Sequence, residues 1–496
     1  MAEVASTMPP LMHPQVYYTE IARKYDLEGV FYIDLWPVAP SSVVLNDPDL
    51  LDEVCVAHPL RQHRLAELAS AAIIGPNSIV TANGAIWKKL HQAMAPAFSW
   101  SHIRNLTGMI IDECELFHQT LAAHADKGKA FSMEEAAGKL IFDVVARAVF
   151  DFSLNAQTTG SVYLDDLKEM IKLAEGQFQD PAVIYNPLVR YRVWKRRRQI
   201  LGRLHPSMVG KIYQRLERLR SQKTVPSRKD PHCILDLMLT EHVLDSDGKA
   251  KTGPIPPSDI GLLLTNIKGA LIGGNGTTND STCFLLMLLS KEPKVVAKLR
   301  REHDQVFGEG CDKTKETLLA FPEKLQELPY TDAVMQESLR MFPVGFGLRE
   351  ADPGATIQYR GRKYPIGDGL SVALNGQDLH YNPRFFPDPT AFRPDRWRAS
   401  AGSAEEVPRS YFRTFSRGQR GCLGKNLALN EMKIILLLTL RYFDFKCAGL
   451  KPNKRPRTVH TDLDTVFGDI VFQELGMEAK PRGGMMMTVH RVQKLA

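Results

Sequence analysis

Apolar residues recur at three-and-four spacing through most of the chain and alternate with polar ones only in short stretches, so helices should dominate. Phe31 to Trp36 alternates, and Ser42 to Asn46 follows after Pro40; together they predict a β-hairpin. Asp47-Pro48 then opens a short helix with an acidic first turn. Residues 60 to 83, interrupted at Gly75-Pro76-Asn77, read as a partly ordered loop, and a helix after Asn83-Gly84 stops near Pro96. Amphipathic stretches from Ile103 to Leu121 and from Ser132 to Phe150 lead into Tyr185 to Arg220, where eleven Arg and Lys residues are interleaved with Leu, Val, Tyr and Trp. A short helix, His232 to Leu244, stands within a polar connection from 221 to 257. The longest pattern runs from Pro257 to Pro293, with glycine at 273, 274 and 276. Interior glycines cost about 1 kcal/mol each relative to alanine, and a bulge that admits a small ligand is the expected compensation. Near the end, Thr331 caps a helix that stops before Pro343, and the run after Cys422 predicts a long buried helix.

Composition sharpens this only a little. Hydrophobic content of 44% and charged content of 24% are ordinary globular values, so a sizeable core is expected. A net charge of +7 is too mild to imply nucleic-acid binding, though it suits an acidic protein or an anionic membrane surface. Seven scattered cysteines, with no C-x-x-C pair, argue for a reducing compartment and against structural zinc. Residues 1–30 contain no apolar run long enough for a signal peptide or membrane anchor and are read as a segment preceding a single domain at 31–496.

One cysteine has surroundings that suit a thiolate. Phe415-Ser416-Arg417-Gly418-Gln419-Arg420-Gly421-Cys422-Leu423-Gly424 places three glycines within seven residues, so the backbone can take positive φ and lie flat against a planar partner. Cys422 stands at the start of the buried helix, where unpaired N–H groups and the dipole favour an anion and lower a thiol's pKa. This decad resembles the cysteine-ligand signature of the cytochrome P-450 (haem-thiolate monooxygenase) superfamily, with Phe415, Gly418, Arg420, Cys422 and Gly424 at its fixed positions.

The resemblance extends over nearly the whole chain and implies a mainly α fold with small β-sheets, one catalytic domain around one haem b whose iron takes the Cys422 thiolate. It implies that Trp87, His91, Arg349, His380 and Arg420 surround the haem propionates, with His91 where the family has arginine. Thr277 matches the threonine that donates a hydrogen bond to dioxygen, while Gly276 replaces the neighbouring acid. Asp280, one turn on, is a candidate to deliver protons through water; the substrate's polar groups or a water chain are alternatives. Glu337 and Arg340 share a helix face 85 positions before Cys422 and, with Arg396, match the family's buried network. Residues 344 to 348 and 483 to 488, with Gly273, Gly276, Phe346, Leu348 and Met486 singled out, fall where the family lines its cavity.

The implied reaction inserts one atom of O2 into a hydrophobic or aromatic small molecule, with NADPH electrons from a separate flavin reductase. Lys88, Lys89, Arg417, Lys425 and Lys433 would give that partner a basic face on the cysteine side. The region 185–220 corresponds to the family's substrate-access lid; its cations read as a solvated face or as an element resting on a membrane. A cytoplasmic or peripheral endoplasmic-reticulum location and a fungal, secondary-metabolic setting complete the expectation. Two rivals stand beside it: a haem-thiolate isomerase or dehydratase that does not use O2, made credible by Gly276, and a non-catalytic haem-binding protein.

Overall fold

The structure, a computed structural model, describes residues 2–34, 40–179, 186–222, 225–227, 229, 232–245, 247–309, 311–400, 402–403 and 406–492. Helices dominate, and the chain falls into two compact units: one of residues 1–63, 114–138 and 276–496, the other of 64–113 and 139–275. Among the described residues no helix is long and apolar enough to cross a membrane.

Among the described residues the first unit contains all of the sheets. Val30–Ile33 pairs antiparallel with Ser42–Leu45 as the alternation predicts, although Leu35 and Trp36 lie outside the described residues. Ser371–Leu374 joins in parallel, followed by Gly347–Glu350 and Arg61–Gln62, giving five strands. A second sheet sets Met486–Arg491 between Phe131–Ser132 and Phe443–Cys447. The N-terminal segment is built into this unit rather than preceding it: helix Pro14–Lys24 buries Val16, Tyr18, Ile21 and Ala22. Gln15 Nε2 donates to the Pro343 carbonyl at 2.7 Å, and Arg23 pairs with the buried Asp378 at 2.7 Å. Sequence periodicity missed the helix because its buried face includes Gln15, Thr19 and Glu20.

In the second unit, helix Pro187–Gln222 runs for 36 residues through Pro206 and buries a stripe of Ile200, Leu204, Met208, Ile212, Leu216 and Leu219. Three of its cations are neutralised within the unit: Arg196 by Glu169, Arg203 by Asp166 and Arg215 by Asp236. Leu188, Tyr191 and Trp194, three residues apart at its start, are exposed. The stretch 60–83 is more ordered than expected, with helix Arg64–Ala71 in it.

Helix Pro257–Leu289 is continuous, so the glycines do not form a bulge. Packing accounts for Gly274, where an added Cβ would lie 2.9 Å from Val145 Cγ2. Gly273 faces open space.

Helix Pro329–Met341 supplies the buried hub of the first unit. Its start is capped not by Thr331 but by Glu302, whose carboxylate accepts the Tyr330 and Thr331 N–H groups at 2.7 and 2.8 Å. Glu337 and Arg340, both 0% exposed, form a bidentate pair at 2.9 and 3.0 Å. The same carboxylate accepts from Arg396 Nε at 3.0 Å, Trp397 Nε1 at 2.8 Å and the Arg393 N–H at 3.0 Å. Burial by itself would raise the Glu337 pKa, but Arg340 and Arg396 outweigh it and hold the group below the ordinary carboxylate range.

A carboxylate whose pKa is lowered on folding stabilises the protein while ionised and loses that contribution as pH falls through its folded value. Glu337→Ala should therefore cost about 3–5 kcal/mol at neutral pH, because two buried guanidinium groups lose their counter-ion. In chemical denaturation the gap between variant and wild type should narrow in acid; a gap independent of pH would contradict the assignment.

Candidate active site

The loop around Cys422 is held in place before the following helix begins. Gly418 has φ 74, and a Cβ there would lie 2.9 Å from the Cys55 carbonyl carbon and 3.3 Å from Val56 Cα, so only glycine fits. Gly421 and Gly424 adopt ordinary negative φ; the second residue of the loop with positive φ is Ser416, at 55°. The glycines thus act through close packing at one position more than through a flat backbone at three. Asp52 clamps the loop by pairing with Arg413 at 2.8 Å and Arg417 at 2.6 Å. Phe415 contributes its carbonyl, which accepts the Cys422 N–H at 2.9 Å.

Helix Lys425–Thr439 starts three residues after Cys422, with Gly424 at its N-cap. The backbone N–H groups of Gly424 and Lys425 point at the sulfur. Cys422 is exposed on the surface of its loop, yet the protein packed around the sulfur pushes the thiol up despite these donors and the Lys425 ammonium, which pull it down. The thiol is thus not lowered as its place at a helix start predicts, but a metal cation deprotonates a coordinating thiol outright. No group of three or more His, Cys, Asp or Glu among the described residues could hold a bare ion. A cysteine thiolate is the kind of single protein ligand that suits a metal bringing its own nitrogen ligands, as a porphyrin does.

Two cations complete the donor set in this unit. Arg349, on strand Gly347–Glu350, is buried and its guanidinium donates to Gln62 Oε1 on the neighbouring strand. Burial, and to a lesser degree the charge of Arg349, lower Arg420 to about 10, so a cation at 420 is held at a cost that an anionic partner would relieve. Carboxylates are such partners, and haem carries two. Gln62 went unnoticed in the sequence because a two-residue strand leaves no periodic signal.

His380 takes a different place from the one expected. It is fully buried; Nδ1 bonds the Arg340 carbonyl at 2.9 Å, and Nε2 accepts the Arg413 N–H at 3.0 Å. With both ring nitrogens engaged by backbone it has no donor for a propionate. Burial, then the charge of Arg340, hold its pKa at about 3. It ties the Glu337 hub to the cysteine loop instead.

Other expectations divide similarly. Trp87 and His91 belong to the second unit, where helix Gly84–Met94 puts their rings 4.9 Å apart. Leu348 is partly buried, and its carbonyl accepts the His63 N–H; the Phe346 ring packs on His13 and Tyr18 at 5.5 and 6.0 Å. Met486 lies on the exposed side of its strand, while its neighbours Met485 and Met487 are buried in the core. Lys433 is buried and bound to Asp332 at 2.7 Å and to the Leu325 carbonyl at 2.8 Å, which removes it from any docking face. Lys89 pairs with Glu241 and Arg417 with Asp52, whereas Lys88 and Lys425 are exposed.

On helix Pro257–Leu289, Thr277 is partly exposed, and Asp280 is buried beside Cys283, whose thiol feels its charge.

Comparison with known proteins agrees with this geometry. The chain is 28% identical to the cytochrome P450 monooxygenase acrF of Aspergillus aculeatus, over 98% of this chain and 99% of that one. It is 27% identical to the cytochrome P450 monooxygenase ptmG of Penicillium ochrochloron, over 98% and 87%. A crystal structure of a cytochrome P450 (CYP102L1) superposes with a TM-score of 0.76 at 20% identity, covering 97% of this chain and 98% of that one, which establishes the fold. The family model described as Cytochrome P450 matches residues 7–464, and the chain belongs to the cytochrome P450 family of haem-thiolate monooxygenases.

Proposed function

We propose that the protein inserts one oxygen atom of O2 into a hydrophobic small molecule in secondary metabolism, taking NADPH electrons from a flavin reductase. Haem, when bound, supplies the activation of dioxygen, which no amino-acid side chain can provide. Cys422 is its protein ligand, and the reading rests chiefly on this sulfur: a lone cysteine, on a loop clamped by Asp52 and Gly418, that receives two backbone N–H groups. Arg349 and Arg420 bind the propionates, with Gln62 orienting Arg349. Thr277 holds a proton toward dioxygen. The reductase uses exposed cations such as Lys425, and the exposed Leu188, Tyr191 and Trp194 rest on the surface of the endoplasmic reticulum.

Two outcomes check this reading. With reductase, NADPH and 18O2, a panel of lipophilic probes should yield a product carrying one labelled oxygen, and Thr277→Ala should release more hydrogen peroxide per NADPH. Turnover of a hydroperoxide without reductant, and no label from O2, would instead favour an isomerase or dehydratase.

Gly418→Ala should strain the loop by about 1–3 kcal/mol and collide with Cys55. Its haem content, read as Soret absorbance per protein, should fall well below wild type; an unchanged ratio would show that the clamp is dispensable.

A further inference from the structure

Gly276 lacks a side chain, and the space one would need is taken by another residue of the same unit. A Cβ on Gly276 would lie 3.0 Å from Cδ and 3.4 Å from Oε2 of Glu478, and closer still to Oε1. Any larger residue at 276 must therefore displace that carboxylate.

Glu478 comes from the turn between strands Glu474–Leu475 and Ala479–Lys480, near the C-terminus. The turn is anchored next to it. The Ala479 N–H donates to the Val344 carbonyl at 2.9 Å, and the buried Gln473 amide donates to the carbonyls of Pro343 at 3.0 Å and Ala479 at 3.2 Å. These bonds fix the backbone on one side of Glu478, so its approach to the helix is a built feature of the hairpin.

We propose that Glu478 supplies, from this hairpin, the proton-relaying carboxylate beside Thr277 that the helix itself lacks. The inference deepens the monooxygenase reading and rests on it. The balanced reaction is RH + O2 + NADPH + H⁺ → ROH + H2O + NADP⁺. One C–H bond breaks and one C–O bond forms. NADPH is oxidised, and the second oxygen leaves as water after taking up two protons. The Thr277 hydroxyl can pass on a proton only if another group replaces it, and that group must exchange with solvent. Glu478 is partly exposed and meets this need; Asp280, one turn further on, is almost wholly buried. Gly276 is then the opening through which the relay reaches the helix, and its lack of an acid is compensated by a different element.

The test uses the holoenzyme with reductase, NADPH and dioxygen as the probe, without organic substrate. Dioxygen leaves either as hydrogen peroxide, taking one NADPH, or as two waters, taking two. In Glu478→Gln and Glu478→Ala, water formation should fall by about tenfold or more, and peroxide per NADPH should rise toward the stoichiometric limit. The double variant Glu478→Ala/Gly276→Asp, with the acid returned to the helix, should regain much of the wild-type ratio. A second readout does not depend on turnover: alanine is the better helix former, so Gly276→Ala should raise Tm in a Glu478→Ala background and raise it less, or lower it, in wild type, where the new Cβ meets the carboxylate. Glu478 variants with a wild-type peroxide ratio, or a Gly276→Ala Tm change equal in both backgrounds, would overturn the proposal. A wild-type protein that consumes no dioxygen with reductase would instead overturn the monooxygenase reading on which it stands.

Discussion

The Glu337 carboxylate is the constraint on which the first unit depends. Wholly out of water, it accepts hydrogen bonds from two arginines, a tryptophan and a backbone amide. Such a charge is tolerable only while all its partners stay in place, which makes the arrangement close to all-or-none. Arg340 also donates to the His380 carbonyl, His380 binds the Arg413 amide, and Arg413 reaches Asp52, which holds Arg417 one residue before Gly418. An unbroken chain of polar contacts thus joins the hub to the loop that carries Cys422.

The value of that chain lies in precision more than in stability. A coordinating sulfur must sit at a fixed height above its loop, and a flexible glycine-rich turn would not hold it. Gly418 fills a gap against Cys55 and Val56 that no other residue can enter, and Asp52 binds two cations just before it, Arg413 and Arg417. Functional groups are placed accurately when their supporting shell is itself locked.

Features that depend on local spacing were legible in the sequence. Cys422 announced itself through its decad and the following helix, Glu337 and Arg340 through i,i+3 spacing, and the first hairpin through alternation. What escaped depended on contacts distant in sequence. His380 and Lys433 bear polar side chains whose partners, Arg413 and Asp332, lie 33 and 101 positions away, so their burial left no local trace. Among the three consecutive methionines, Met485 and Met487 are buried and Met486 is exposed, a distinction the run itself does not carry. Gly276 was read as a missing acid, and Glu478, which occupies its space, lies about two hundred residues later, in a turn without a signature.

The central claim is the bond between the Cys422 sulfur and haem iron, and the reduced carbon-monoxide difference spectrum addresses it most directly. The account predicts that the purified protein shows the strongly red-shifted Soret band of a thiolate-ligated haem, and that Cys422→Ser loses it. A wild-type protein without that band, or a serine variant that keeps it, would contradict the account.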